Sequence, residues 1–139
     1  MISIVVVTHG QLAEELVNAA RTIHGELPGI VAVPLGWGDD AATATSAIGR
    51  AIAGTGGDTL VLTDMFGGTP TNLSLPYLSA QVEIVTGVNL PMIIKAASLR
   101  EGPLTEVGHV SKSFDGFNHR VRIGARSPGR QRRRAEPAA

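Results

Sequence analysis

Four short apolar runs rich in β-branched residues alternate along this chain with segments of helical periodicity, and this alternation constrains the fold most strongly. The runs lie at residues 4–7, 30–35, 59–63 and 82–86. Consecutive apolar positions predict strands that are buried on both faces, as in parallel sheets. The intervening segments predict helices at residues 11–24, 41–53, 71–78 and 91–99. The order βαβαβαβα therefore predicts an α/β fold, in which an open, mostly parallel sheet carries helices on both faces.

The pattern weakens beyond residue 100. Residues 101–118 show no clear periodicity, and no element is predicted there. Residues 119–123 alternate between polar and apolar side chains, which favours an edge strand, antiparallel to its neighbour. Residues 125–139 contain five arginines, two prolines and no apolar periodicity. We therefore predict one domain over residues 1–124 and a disordered basic tail over residues 125–139.

Composition excludes several classes of protein. With 139 residues, of which 43% are hydrophobic, the chain has room for one domain with a sizeable core. No cysteine is present, which excludes disulfides and thiolate chemistry, and no two of the four histidines have the spacing of a helical zinc site. No apolar stretch reaches the roughly 20 residues of a membrane span, and the N-terminus does not resemble a secretory leader. We therefore expect a cytoplasmic protein without direct membrane insertion.

The formal net charge of zero conceals an asymmetry between body and tail. Residues 1–124 carry seven basic and eleven acidic side chains, about −4, whereas residues 125–139 carry five basic and one acidic, about +4. A basic tail can bind nucleic acid or acidic lipid, although a solvated extension is the simpler interpretation. The body has no basic stripe and few aromatic residues, so nucleic-acid binding is not predicted for the folded domain.

His9 lies where the first strand gives way to the first helix. In open α/β sheets this carboxyl edge is the usual place for ligands. The helix N-terminus, with backbone amides around Gly10, favours an anion. A nucleophilic imidazole beside an anion site suggests phosphoryl transfer; the alternative is a structural histidine at the end of a strand.

Residues 60–72 repeat this arrangement at the third strand. Gly67 and Gly68 allow backbone amides to approach a ligand closely, and Thr69 adds a hydroxyl group at the same place. If the first and third strands are neighbours, the Asp64 carboxylate can reach His9, fix its tautomer and raise the nucleophilicity of the other ring nitrogen. Alternatively, Asp64 only caps the glycine turn.

Three motifs together carry a resemblance to a known family. They are THG at residues 8–10, TDMFGGTPTN at residues 63–72 and TGVNLPM at residues 86–92. In order and spacing they resemble the enzyme IIA domain of the mannose family of the phosphoenolpyruvate-dependent sugar phosphotransferase system. The resemblance covers roughly residues 1–100.

This resemblance implies a role for each matching residue. His9 corresponds to the phosphoryl acceptor, and Asp64 to the aspartate that hydrogen-bonds it. Gly67, Gly68 and Thr69 correspond to the turn that receives the phosphoryl oxygens. Residues 87–89 correspond to a turn expected at the rim of the same pocket.

The resemblance also implies the fold, the partners and the absence of a cofactor. The sheet is expected in the order 2-1-3-4, with an antiparallel edge strand that can be exchanged in a homodimer. The phosphoryl group is expected to come from the histidine phosphocarrier protein HPr and to pass to a histidine of a separate enzyme IIB component, without a metal or organic cofactor. Two alternatives stay open: a regulatory phospho-switch with the same chemistry that is not coupled to sugar transport, and a non-enzymatic α/β module that binds a small ligand.

Two aromatic residues are candidates for contact with such partners. Phe66 adjoins the glycine turn, where an apolar side chain suits a transient docking surface. Trp37 lies in the loop after the second strand, where it either contacts a partner or covers the end of the sheet.

Overall fold

The computed structural model describes residues 1–112, 119–123 and 133–137. The strands of this part of the chain are β1 Ser3–His9, β2 Ile30–Leu35, β3 Thr59–Thr63, β4 Val82–Thr86, β5 His119–Ile123 and β6 Arg133–Pro137. Its helices are α1 Leu12–His24, α2 Ala41–Ala53, α3 Thr69–Ser74, α4 Leu90–Leu99 and α5 Leu104–Lys112. The bounds of β2, β3, β4 and α2 agree with the sequence prediction to the residue.

The described strands form a single sheet in the order β2-β1-β3-β4-β5-β6. Strand β1 pairs in parallel with β2 on one side and with β3 on the other, and β3 pairs in parallel with β4. The predicted α/β fold and the order 2-1-3-4 are confirmed. Because β1 and β3 are neighbours, the chain segments that follow them emerge side by side at one edge of the sheet.

Helices cover both faces of the parallel strands, and alternate strand residues supply the two cores. On one face, Ile4 and Leu62 pack with α1, α4 and α5. On the other face, Val5 and Val61 pack with α2 and the segment around α3. This burial on both faces explains why the strands read as continuous apolar runs instead of alternating ones.

Strand β5 is antiparallel to β4, as predicted for residues 119–123, but β6 lies beyond it at the edge. Strand β6 falls within the segment predicted to be a disordered tail, so that prediction differs from the structure at residues 133–137. An edge strand presents unpaired backbone groups, and a segment without apolar periodicity can still pair with them. The other positions of the predicted tail lie outside the described residues.

Two helices differ from the sequence prediction. The helix predicted at residues 71–78 is the short α3 followed by a 3₁₀ turn at Leu75–Tyr77. Pro76 in that turn has no backbone N–H to donate, so a regular α-helix is not continued through it. Helix α5 occupies part of a region where no element was predicted, because its weak periodicity is compensated by burial of Leu104 and Val107 in the core. Within the described ranges, no helix is long and apolar enough to cross a membrane.

Candidate functional site

His9 and Asp64 meet at the carboxyl edge of the sheet. Val7 of β1 is in register with Thr63 of β3, so His9 and Asp64 follow adjacent strand ends. The Asp64 Oδ2 atom lies 2.6 Å from His9 Nδ1 and accepts a second hydrogen bond from the His9 backbone N–H at 2.9 Å. The structure thus brings together the two residues that the sequence analysis paired.

This contact fixes which imidazole nitrogen carries the proton. An ionised carboxylate can only accept hydrogen bonds, so Nδ1 must be the donor toward Asp64. In the neutral imidazole the lone pair then resides on Nε2. Among the described residues, Nε2 has no hydrogen-bond partner, and about a quarter of the His9 side chain, 26%, is exposed. The ring therefore presents a nitrogen with a lone pair that no group of the described residues binds.

Asp64 is held more deeply than His9. Its side chain is 13% exposed, and its second oxygen, Oδ1, is buried without a hydrogen-bond partner among the described residues. Both of its hydrogen bonds converge on Oδ2 and come from His9. Since, in the described part of the chain, only Oδ2 accepts hydrogen bonds and both come from His9, the Asp64 carboxylate orients the imidazole.

Buried threonines at the strand ends hold the two loops in place. Thr8 Oγ1 accepts a hydrogen bond of 2.7 Å from the Ala13 N–H and so secures the start of α1. The Thr71 hydroxyl donates to the Met65 carbonyl at 2.6 Å, and the Thr63 hydroxyl lies 2.7 Å from Thr71 Oγ1. Because Thr71 uses its only proton on Met65, Thr63 is the donor in the second contact. The loop that carries Asp64 is thereby tied to both β3 and α3.

Gly68 allows this loop to pass close to the imidazole. A Cβ at Gly68 would lie 3.1 Å from His9 Cε1 and 3.0 Å from Met65 Cγ. Gly67 has a φ of +81°, a conformation that favours glycine. Helix α3 begins directly afterwards at Thr69, and no side chain in the described part of the chain caps its N-terminus. Of the residues predicted to receive phosphoryl oxygens, Gly68 lies beside the ring, Thr69 lines the same pocket as His9, and Gly67 precedes them in the turn.

Gly10 differs from its prediction as an anion-binding residue. Its N–H donates to the Leu35 carbonyl at 2.7 Å, so this amide is already used to join the end of β1 to β2. Its φ is +55°, and a Cβ at this position would lie 3.0 Å from the Trp37 Nε1 atom. Gly10 therefore makes room for an indole ring, and it offers no free amide to an anion.

Trp37 lies on the imidazole of His9. The two ring centroids are 5.2 Å apart, and the ring planes are inclined by 18°. The indole thus covers His9 at the end of the sheet, and its other face stays exposed, so contact with a partner remains the second interpretation. The pairing of β1 with β2 accounts for this contact between Trp37 and His9. His9 and Leu35 are in register, and Trp37 follows Leu35 by two residues.

A pocket of about 260 Å³ opens beside the two rings. Residues from the end of β1, the loop after β2 and the starts of α2 and α3 line it: His9, Leu35, Gly36, Trp37, Asp39, Ala44 and Thr69. The loop after β2 thus contributes to the pocket wall, whereas residues 87–89, which were predicted at its rim, are not among the described residues that line it. The latter residues instead secure the start of α4. The Val88 N–H donates to the Thr63 carbonyl at 2.9 Å, and Asn89 Oδ1 caps α4 at the Met92 N–H, also at 2.9 Å.

Asp40, at the start of α2, directly follows the pocket residue Asp39. Asp40 accepts a hydrogen bond from the Thr43 N–H at the start of α2, and this bond lowers the pKa of its carboxyl below the usual value. Trp37, which lies on His9, is an exposed apolar side chain, as are Met65 and Phe66 in the loop that carries Asp64. In the described ranges, no three histidine, cysteine or acidic side chains are grouped closely enough to bind a metal ion.

Comparison with known proteins matches one family over most of this chain. The family model described as "PTS system fructose IIA component" matches residues 3–108. The matched region contains β1 to α4, both loops of the site and most of α5.

Curated relatives carry related descriptions. The fructose-specific EIIA component of Bacillus subtilis is 31% identical over 105 residues, which cover 73% of this chain and 72% of the relative. The sorbose-specific EIIA component of Lacticaseibacillus casei is 32% identical over 97 residues, covering 68% of this chain and 70% of the relative. The mannose-specific EIIAB component of Escherichia coli is 30% identical over 72% of this chain, but the match spans only 32% of that longer protein.

Solved structures show the same fold. The mannose/sorbose-specific IIA subunit of Enterococcus faecalis matches with a TM-score of 0.70 and 32% identity, covering 78% of this chain and 85% of that one. The phosphotransferase system component EIIA of Streptococcus agalactiae matches with a TM-score of 0.70 and 27% identity, over 80% of this chain and 92% of that one.

Proposed function

Because the chain belongs to the family of fructose- and mannose-type IIA components of the phosphotransferase system, we propose that it is a cytoplasmic phosphoryl carrier with His9 as the covalent attachment site. The observation that carries this proposal is the 2.6 Å contact between His9 Nδ1 and Asp64 Oδ2. It leaves Nε2 as the nitrogen that can attack phosphorus.

The transfer consists of one bond formed and one bond broken. The Nε2 lone pair of His9 forms a bond to phosphorus in line with the leaving group, while the N–P bond of a donor phosphohistidine breaks. The electron pair of the broken bond returns to the donor nitrogen. Nδ1 keeps its proton throughout, so the phosphorylated ring carries a positive charge next to the Asp64 carboxylate.

Asp64 acts in this proposal by orientation and by charge. Its hydrogen bonds to the ring and to the backbone of the same residue restrict rotation of the imidazole. Its negative charge stabilises the ring while the N–P bond forms, because electrostatic interactions are strong in a partly buried site. When the phosphoryl group leaves again, the same contact restores the neutral tautomer.

Gly67, Gly68 and Thr69 are proposed to receive the phosphoryl oxygens. They lie at the start of α3, where no side chain caps the backbone amides, and Thr69 lines the pocket together with His9. Gly68 has no Cβ, so its backbone approaches the ring more closely than any other residue could. Main-chain donors of this kind stabilise the charge that develops in phosphoryl transfer.

We propose HPr as the donor and a histidine of an enzyme IIB component as the acceptor. Membership of the family supports a place in a phosphotransfer chain, and the exposed apolar side chains near His9 give two successive partners a shared contact area. The relatives are named for fructose, sorbose and mannose, so family membership alone does not select the sugar. Family resemblance also supports a homodimer, which sedimentation equilibrium of the full chain would test.

The proposal is tested by phosphoryl transfer from labelled phosphoenolpyruvate through enzyme I and HPr. The wild-type chain is expected to take up label that is labile in acid and stable in base, as expected for a phosphohistidine. His9→Ala should take up none, whereas His24→Ala, in which a histidine at the end of α1 is lost, should be labelled like the wild type. Failure to label the wild type, with all components active on a control acceptor, would overturn the proposed function.

A further inference from the structure

Trp37 combines exposure with a defined position. Its side chain is 82% exposed, yet the indole lies almost parallel to the His9 imidazole at a centroid distance of 5.2 Å. This separation is within the range of favourable aromatic pairs. Because so little of the Trp37 side chain is buried, the hydrophobic effect contributes little to holding it over the His9 ring. Other contacts must therefore define its position.

The local backbone holds the indole over His9. The Asp39 carboxylate accepts a hydrogen bond of 2.8 Å from the Gly36 N–H, and the Asp39 N–H donates to the Gly36 carbonyl at 3.1 Å, closing a tight turn around Trp37. Gly10 has no Cβ, and this leaves space next to the indole nitrogen, since a Cβ there would lie 3.0 Å from Trp37 Nε1. The turn and the glycine come from different segments, and both favour the same indole position.

With Trp37 included, three protein groups define the orientation of the imidazole. Asp64 holds Nδ1, Gly68 lies close to Cε1, and the indole covers one face of the ring. Nε2 is the ring nitrogen that none of the described residues binds. A rotation of the ring that moved Nε2 away from its place would have to break one of these contacts.

The indole also suits the charge that the reaction places on the ring. In the transfer proposed above, bond formation at Nε2 with a proton on Nδ1 makes the imidazole cationic. A cation over the face of a tryptophan is stabilised by the ring quadrupole, and tryptophan is the best of the aromatic residues in this respect. The effect of Trp37 is therefore greater for the charged ring than for the neutral one.

We propose that Trp37 is a positioning residue for His9: its indole holds the imidazole with Nε2 free and stabilises the ring once it carries the phosphoryl group. This inference rests on the proposed function of His9. It differs from a role of Trp37 in docking, because it predicts an effect on the reaction of His9 with a donor that has no protein surface.

The test compares Trp37→Leu and Trp37→Phe with the wild type and with Ile23→Ala. Ile23 is another exposed apolar residue, near the end of α1 and so away from the carboxyl edge of the sheet. Each chain is phosphorylated with the small donor phosphoramidate and, separately, with phosphorylated HPr. NMR of the His9 ring protons, with and without phosphoryl group, measures the ring current of the indole.

With both donors, Trp37→Leu is expected to accept the phosphoryl group about 3- to 10-fold more slowly, whereas Trp37→Phe stays within about twofold of the wild type. The His9 ring protons should move downfield in the leucine variant and remain in place in Ile23→Ala. Since Trp37 is the single tryptophan of the chain, its fluorescence should also change when the wild type is phosphorylated.

Several results would overturn the inference while leaving the carrier function intact. These are equal rates for the wild type and Trp37→Leu, equal losses in the leucine and phenylalanine variants, unchanged His9 resonances in Trp37→Leu, or a defect seen with HPr alone, which would indicate docking. If instead the wild type accepts no phosphoryl group from either donor, the proposed function itself fails.

Discussion

At the scale of single residues, the site depends on the different environments of the two imidazole nitrogens of His9. Nδ1 is bound to a carboxylate that makes both of its hydrogen bonds to His9, and Nε2 has no partner in the described part of the chain. In the proposed transfer, the reactivity of Nε2 depends on how Nδ1 is held, so substitutions of the residues around Nδ1 should change the rate of phosphoryl transfer.

Asp64→Asn should lower the rate of phosphoryl acceptance by about 10- to 100-fold. The amide oxygen can still accept a hydrogen bond from Nδ1, but the negative charge is lost. The amide nitrogen then takes the place of the buried Oδ1, which has no hydrogen-bond partner among the described residues. Rapid-quench labelling measures the rate. Asp58→Asn, which removes an exposed carboxylate just before β3, is the matched control and should leave it unchanged. Equal rates in the two variants would contradict a role for the Asp64 charge.

Gly68→Ala should slow the transfer without unfolding the protein. The new methyl group would lie 3.1 Å from His9 Cε1, so the ring must shift by a few tenths of an ångström, while the exposed Met65 side chain can move aside. The comparison is with Gly57→Ala, where a Cβ meets nothing within 4 Å. A Gly68→Ala chain with the wild-type rate and melting temperature would show that the close approach is not required.

The sequence predicted the pair of residues at the centre of the site but not the contacts made by the loop after β2. The His9–Asp64 pair could be inferred because each residue ends a readable strand. The stacking of Trp37 and the hydrogen bond from the Gly10 amide to Leu35 could not, because both depend on the path of the loop after β2. Loop paths are set by turn hydrogen bonds such as that of Asp39, for which the sequence offers only a weak signal.

At the scale of elements, the hydrophobic pattern predicted the parallel strands and the long helices. It predicted the short helix α3 only in part, and it did not predict the short helix α5 or the edge strand β6. Strand β3 and helix α2 were predicted to the residue because each has a uniform pattern and distinct ends, such as Asp40 at the N-terminus of α2. Helix α3 has only six residues before Pro76 interrupts it, too few for a periodic signal. Strand β6 has no apolar pattern because its pairing relies on backbone hydrogen bonds to β5.

The cap of α2 gives a prediction for pH. The Thr43 N–H lowers the pKa of Asp40 from its usual 3.8, so the folded state favours the ionised carboxylate. Its contribution to stability is present above the usual value and is lost as the pH falls through the lowered pKa. Asn is a comparable cap that does not titrate.

Thermal unfolding at pH 7, 5 and 3 should therefore show a smaller acid-induced loss of Tm for Asp40→Asn than for the wild type. The difference between the two chains should appear below the usual pKa of the carboxyl and be nearly constant between pH 5 and 7. A difference that is the same at all three pH values would contradict the assignment of this cap.

At the scale of the whole molecule, the two cores on either side of the sheet stabilise the fold. Ile93 of α4 is fully buried in one core, on the same sheet face as Leu62 of β3. Ile93→Ala should lower the free energy of unfolding by about 2–5 kcal/mol, because transfer and cavity terms add.

Denaturant titration measures this loss, with Ile23→Ala as the control. Ile23 is 65% exposed, and its truncation should change stability by less than about 0.5 kcal/mol. The phosphoryl-transfer rate of the folded Ile93→Ala chain should remain near that of the wild type, since the site lies at the strand ends. Similar stability of the two variants would contradict the assignment of the core.

The proposed transfer requires that His9 carries the phosphoryl group on Nε2 while Nδ1 stays bonded to Asp64. Nitrogen and phosphorus NMR of the phosphorylated, ¹⁵N-labelled chain tests it most directly. We predict a phosphorus coupling to Nε2 of His9, together with a protonated Nδ1 of the same ring. A coupling to Nδ1, or to one of the other three histidines, would contradict the account.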